Sequence, residues 1–410
     1  MTGEEKALWL DCDPGHDDAI ALLLALFGRS SLVHPTLLGV SSVHGNNTGH
    51  NTFVNAARML DAYGVEPGLL WRGADVPLMR DAKIDEGIHG DDGLGGVTGL
   101  GTQTDEGVQR QMYANLGPVA EKGQVVPEPD PLSLVSHLVE LLKRRIRDGQ
   151  GPLTIVATGP LTNVALLLKL APPGVVQQGV DQIVLMGGAA GVPGNRTPLA
   201  EWNILVDPEA ARIVFSYPLP TVMAGLNITH QALFTDTLHS QLVSLYSSSD
   251  SLIDTLASIM AFFAASYADT FGFAQGPPVH DFLAVAYVLD PTMFYAHAKP
   301  HQHTSSSSSS SVGGGSGDVA RVSPKRYRVH IETNDGKACG TTIVDFYDQW
   351  APPTESSPDQ VDSEETAASW REGGRNAIVL EHVDTERLWP LFFDAVKRAQ
   401  AHVQSQTNTQ

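Results

Sequence analysis

Two apolar runs, Ala7-Leu8-Trp9-Leu10 and Ile20-Ala21-Leu22-Leu23-Leu24-Ala25-Leu26, flank the acidic stretch Asp11-Cys12-Asp13-Pro14-Gly15-His16-Asp17-Asp18-Ala19. A short apolar run bounded by a turn reads as a buried strand, and the longer run as a buried helix. Pro14-Gly15 breaks both periodicities, so the order is strand, acidic turn, helix. Asp17 and Asp18 then fall in the first helical turn, where carboxylates suit the positive end of the helix dipole. One or two acids suffice for that. Four carboxylates within eight residues repel one another unless a cation is bound, which makes the turn a candidate metal or catalytic site.

The alternation begun there continues. Thr36 to Val43 reads as a second strand ending in His44-Gly45-Asn46, a helix follows from Thr52 to Tyr63, and Leu69-Leu70-Trp71 is a third strand. Next come a helix from Pro131 to Arg147, a strand from Leu153 to Ala157, a helix from Leu161 to Leu170 and a strand from Gln182 to Met186. Pro208 to Phe215 then reads as helix and Thr221 to Ala224 as strand. This order predicts an α/β fold: a mostly parallel, doubly wound open sheet with helices on both faces. A more helical second half follows, with segments at Leu238 to Tyr246, Leu252 to Phe271 and Asp281 to Leu289. Asn334-Asp335-Gly336 marks a small C-terminal hairpin, and a helix from Asp384 to Gln400 closes the chain. The whole chain, 1–410, reads as one domain in which 101–130, 304–318 and 351–374 are flexible insertions too polar or too simple to bury a core.

In open parallel sheets ligands gather beyond the carboxyl ends of the strands. The polar clusters Asp13 to Asp18, Gly45-Asn46, Thr158-Gly159 and Gly187 to Asn203 all follow strands, and are expected to meet in one crevice.

With 26 Lys plus Arg against 46 Asp plus Glu, the formal net charge is −20, which argues against nucleic-acid contact and for a small-molecule ligand. Two cysteines, Cys12 and Cys339, are too few for a disulfide framework, so a reducing, cytoplasmic setting is expected. The apolar stretch Leu252 to Ala265 contains Asp254 and is too short to cross a membrane. A cation held by the acids would meet oxygen ligands, which favours Ca²⁺ or Mg²⁺ over Zn²⁺.

Two further groups carry chemistry. His280-Asp281 opens a helix, where the acid serves equally as a cap or as a ligand. Glu201-Trp202-Asn203, after Gly194-Asn195, combines amides and acids with an aromatic ring, a set suited to a polyhydroxyl ligand bearing a flat ring, though also to an ordinary polar loop.

Asp11 to Ala19 resembles the DxDPGxDDA signature of the inosine-uridine nucleoside hydrolases. Downstream, His44-Gly45-Asn46, His89-Gly90, Thr158-Gly159-Pro160-Leu161-Thr162-Asn163, Met186-Gly187-Gly188, Gly194-Asn195, Ala200-Glu201-Trp202-Asn203, Asp207-Pro208-Glu209 and His280-Asp281 are similar to that family's motifs in order, and the likeness spans Ala7 to Arg398 outside the insertions. The resemblance implies hydrolysis of the N-glycosidic bond of ribonucleosides to ribose and free base. It implies Ca²⁺ held by Asp13, Asp18, Asp281 and the main-chain carbonyl of Thr158, with Asp13 also the general base toward water. Asp17, Asn46, Asn195, Glu201 and Asn203 then look like ligands of the ribose hydroxyls, with Met186 packed near the sugar. His280 is the candidate acid for the leaving base, and His89 a second contact to it. Trp202 stands where Phe is commoner, which reshapes the pocket.

The likeness is strongest to the fungal uridine nucleosidase branch, so uridine is the expected substrate, with purine-preferring or broad specificity as the alternative. Homodimers or homotetramers are common in the family. A haloacid-dehalogenase-like phosphatase, with Asp11 as nucleophile and Asp13 as acid, is the rival reaction class, but Pro14-Gly15-His16 suits its loop poorly.

Overall fold

The first apolar run is strand β1 (Glu4–Cys12), whose side chains alternate between two cores. Leu8, Leu10 and Cys12 enter one, Ala7 and Trp9 the other, which is the period-two pattern of a strand buried on both faces. In this computed structural model the described residues are 3–65, 67–97, 100, 131–245, 251–297, 321–350, 370 and 374–407. The expected insertions 101–130, 304–318 and 351–374 lie outside them, apart from Trp370 and Gly374.

Helix α1 (His16–Phe27) follows the acidic turn, and β2 (Val33–Ser42), α2 (Gly49–Ala62), β3 (Leu70–Arg72) and the short α3 (Glu86–His89) come next. Then α4 (Pro131–Arg147), β4 (Leu153–Ala157), α5 (Thr162–Leu170), β5 (Val180–Met186), α6 (Trp202–Val206), α7 (Pro208–Phe215) and β6 (Thr221–Ala224) continue the alternation. The later part holds α8 (Ser251–Phe271), α9 (His280–Leu289), β7 (Lys325–Ile331), β8 (Thr342–Asp345), β9 (Ala377–Val379) and α10 (Thr385–Thr407).

Strands β1 to β9 form one nine-stranded sheet in the order β8-β7-β9-β6-β5-β4-β1-β2-β3. All pairings from β9 to β3 are parallel, and only β7 runs antiparallel to its neighbours. The C-terminal hairpin β7-β8 is therefore not a separate appendage: β9, which carries no periodic signal of its own, joins it to β6. Residues from α1, α2, α8, α9 and α10 fill the core on one face, and residues from α4, α5 and α7 fill that on the other. The strand order reverses at β1, between β2 and β4, which places the ligand crevice there.

Helix α8 matches the expected segment to within one residue. By length and composition Leu252–Phe271 could cross a membrane, but half of that span is buried in the protein, with Leu256, Ile259, Met260, Phe263 and Tyr267 in the core. It is the lid of the sheet face that carries α1, not a polar-flanked span.

Candidate active site

The carboxyl ends of β1, β2, β4 and β5 deliver their polar residues to one small cavity. Asp17, Asn46, Thr158, Met186, Asn195, Glu201, Trp202, Asn203, His89, His280 and Asp281 all line it, together with Asp85, Ile88, Arg196, Phe263 and Tyr267. The cavity is small, about 40 Å³. Larger hollows exist elsewhere. The one beside Glu4, Lys6 and Asp181, about 510 Å³, lies at the amino ends of β1 and β5, where its charges are paired as Lys6–Asp181 at 3.1 Å. Convergent, unpaired acids mark the smaller cavity as the site.

The acids are held by backbone and amide donors. Gly15 N donates to Asp18 Oδ2 at 2.9 Å, which closes the first turn of α1, and Thr158 Oγ1 donates to Asp18 Oδ1 at 2.9 Å. Asp13 Oδ2 accepts from Asn46 N at 2.8 Å, whereas Asp13 Oδ1 is buried without a hydrogen-bond partner among the described residues. Asp17 Oδ2 accepts from His280 N at 3.1 Å and thereby ties α1 to the start of α9. A Cβ on Gly159 would stand 2.6 Å from Asp13 Oδ1, so only glycine leaves that carboxylate its place. Asp11 supports the turn from behind, accepting from Ser41 Oγ and from Asn163 Nδ2 at 2.7 Å.

One carboxylate oxygen from each of Asp17, Asp18 and Asp281 lies within 4.8 Å of the others. Asp17, expected at the sugar, both lines the cavity and lies beside Asp18 and Asp281, while Asp13 is buried with its free oxygen. The Thr158 carbonyl accepts from Asn203 Nδ2 at 2.7 Å. Burial, followed by the charge of Asp18, pushes the Asp17 carboxyl up to about 7. Burial also raises Asp13, Asp18 and Asp281, and Asp281 is raised further by Asp17, Asp18 and Asp13. Four buried acids with an orphaned oxygen and only oxygen donors fit a hard divalent cation.

The sugar-side residues are more constrained than their types suggest. Glu201 caps α6, accepting from Asn203 N at 2.9 Å, Ile204 N at 3.1 Å and Gly188 N at 2.9 Å, and burial lifts it to about 7. Asn195 Oδ1 accepts from Trp202 N at 2.9 Å, and Asn203 Nδ2 also reaches Met186 O at 3.2 Å.

Opposite the acids stands an aromatic wall. Tyr267 Oη lies 2.6 Å from His280 Nε2, and His280 Nδ1 lies 2.8 Å from Thr229 Oγ1. Burial, then the His230 charge, holds His280 well below the usual imidazole range, so the ring is neutral and both its nitrogens are engaged. His16 stacks on Phe262 and Phe263 with centroids at 4.9 and 5.5 Å, and its Nδ1 lies 3.1 Å from His89 Nδ1. Burial lowers His16 to about 4 and holds His89 well below the usual imidazole range, so both rings are neutral. The sequence alone assigns no role to His16, Thr229, Asp85 or Arg196. His16 lies inside the acidic motif and Arg196 directly follows Asn195, which were the available signals; Asp85 and Thr229 had none.

Comparison with known proteins agrees with this geometry. Residues 8–390 match the family described as inosine-uridine preferring nucleoside hydrolase. A relative from Citrobacter koseri, named pyrimidine-specific ribonucleoside hydrolase RihA, is 38% identical over 338 residues, covering 82% of this chain and 87% of its own. A protein of the same name from Shewanella sp. strain MR-4 is 35% identical over 355 residues, covering 86% and 90%. The solved purine-preferring ribonucleoside hydrolase from Gardnerella vaginalis superposes with a TM-score of 0.67 at 25% identity, covering 97% of this chain and 100% of that one. The inosine-uridine preferring nucleoside hydrolase from Bacillus anthracis, at a TM-score of 0.60 and 18% identity over 96% and 99% of the chains, shares the fold.

Proposed function

The chain belongs to the inosine-uridine preferring nucleoside hydrolase family and is a ribonucleoside hydrolase, an N-glycosidase, and on that footing we propose a Ca²⁺-dependent enzyme that favours pyrimidine ribonucleosides, uridine first. The observation that carries the metal reading is the buried Asp17–Asp18–Asp281 triple with Asp13 Oδ1 unpartnered beside it. Those acids and the Thr158 carbonyl would hold the ion; when bound, such an ion lowers the pKa of a water and orients it. The pyrimidine reading is supported by the names of the relatives from Citrobacter and Shewanella.

The protein's own groups divide the remaining work. Breaking the bond between sugar and base builds positive charge on the ribose, and the acidic floor stabilises it. Asp13, high in pKa and with one oxygen free, takes the proton from the attacking water. Asn46, Asn195, Glu201 and Asn203 place the ribose hydroxyls, Met186 packs against the sugar, and Trp202 and His89 bound the space for the base. The leaving base is protonated from Tyr267 Oη, which the neutral His280, itself held by Thr229 Oγ1 at Nδ1, orients through Nε2, and solvent water restores the phenol proton as the products leave. The expected acid His280 thereby acts through the tyrosine. A reducing, cytoplasmic setting suits the two buried free cysteines, and a homodimer or homotetramer remains the proposed assembly.

The test is a panel of uridine, cytidine, inosine and adenosine with their 2′-deoxy forms, assayed for reducing sugar with Ca²⁺ and after chelation. Pyrimidine ribonucleosides should be hydrolysed fastest, deoxynucleosides rejected, and chelation should abolish turnover. Faster purine hydrolysis would replace the base preference. No sugar release from any ribonucleoside, with phosphate released from a simple phosphate ester, would overturn the reading.

A further inference from the structure

Two buried N–H groups on the cavity wall, Arg196 Nε and Trp202 Nε1, lack a hydrogen-bond partner among the described residues. Both side chains line the cavity. They are stacked, the guanidinium centre lying 5.6 Å from the centroid of the Trp202 ring and 5.4 Å from that of Phe271. Arg196 is also anchored from across the site: Nη2 donates to the Asp85 carboxylate, and the pair is only 19% and 11% exposed.

Folded proteins rarely bury a donor unmet, because it forfeits its bond to water and gains none in return. Neither group here can turn acceptor, since an indole and a guanidinium only donate. The wall therefore offers donors to whatever occupies the cavity. Asp85 neutralises Arg196, and Asp17 and Asp281 line the same cavity with Asp18 beside them, so a phosphate would be repelled while an uncharged oxygen would not.

We propose that Arg196 and Trp202 form a specificity-determining donor pair that receives a neutral oxygen acceptor of the bound ribonucleoside, either a carbonyl oxygen of the base or the 5′-hydroxyl oxygen. This rests on the reading of the substrate as a ribonucleoside. Arg196 acts from a fixed position because Asp85, on the segment leading into α3, holds its far end.

Trp202→Phe keeps a ring and deletes one donor; Arg196→Lys keeps the charge facing Asp85 and deletes the other. Steady-state kinetics of wild type and both variants on uridine, 5′-deoxyuridine, 2-thiouridine and 4-thiouridine decide the matter. Each variant should lose about tenfold in kcat/KM on uridine, through KM, which is the size of one hydrogen bond. The loss should vanish on 5′-deoxyuridine if the sugar oxygen is the acceptor, or on one thio analogue if a carbonyl is. An equal loss on all four substrates would reduce the pair to packing and overturn the proposal, as would no loss on uridine. Should Trp202→Phe fail to fold, Arg196→Lys carries the same comparison. A wild type that hydrolyses uridine while the variants match it refutes only the donor pair; a wild type that hydrolyses no ribonucleoside refutes the substrate reading, and the pair with it.

Discussion

The acids of the site come mostly from one short stretch, Asp13 to Asp18, set between β1 and α1, of which Asp17 lines the cavity together with Asp281 from α9. The aromatic wall facing it is gathered from distant helices: His89 from α3, Phe263 and Tyr267 from α8, and His280 from α9. The floor is fixed by backbone donors at strand ends. The wall is fixed by ring stacking and side-chain hydrogen bonds between helices. Charge is thus placed at the strand ends, and the proposed recognition of the base on helices packed over them.

Asp18→Ala should break the floor, lowering kcat by at least about 10³-fold and abolishing Ca²⁺ binding in calorimetry; a variant that keeps both would remove the acids from the mechanism. Chelation should act on stability as well, since at a hundredfold excess over Kd a bound ion contributes about 2.7 kcal/mol; an unchanged melting temperature with and without Ca²⁺ would show that nothing binds there. Tyr267→Phe should lower kcat by roughly 10- to 100-fold while Ca²⁺ affinity stays at the wild-type value. Loss of Ca²⁺ affinity in that variant would erase the separation of floor from wall. Thr229→Val, which removes only the hydroxyl 2.8 Å from His280 Nδ1, should cost about 1 kcal/mol of transition-state stabilisation, a few-fold in kcat. A larger effect than that of Tyr267→Phe would remove the tyrosine as the group that faces the leaving base.

The same contrast decides what could be read in advance. The strand, turn and helix around Asp13 are written in local periodicity, and the parallel sheet follows from the alternation of such units. The resemblance implies a sugar contact for Asp17; its nearness to Asp281 is not written in spacing along a helix turn, because the position of α9 brings the two together. Tyr267 could not be told from a core aromatic, because its partner His280 lies on another helix. Strand β9 has three residues and no pattern, and becomes a strand only because β6 and β7 flank it.

Helix α10, the last element of the chain, packs in the same core as α1, the helix that carries the acids. Arg398 Nη1 donates to Phe27 O at 3.2 Å, at the end of α1, and β9 covers the edge of β6 only once residue 379 has been made. These contacts join points hundreds of residues apart, the kind that form late in folding. Until residues 377–379 are made, β6 is an edge strand, open to pairing with another chain. The acids of 13–18 are thus made long before α9 and α10, which complete the core around their helix.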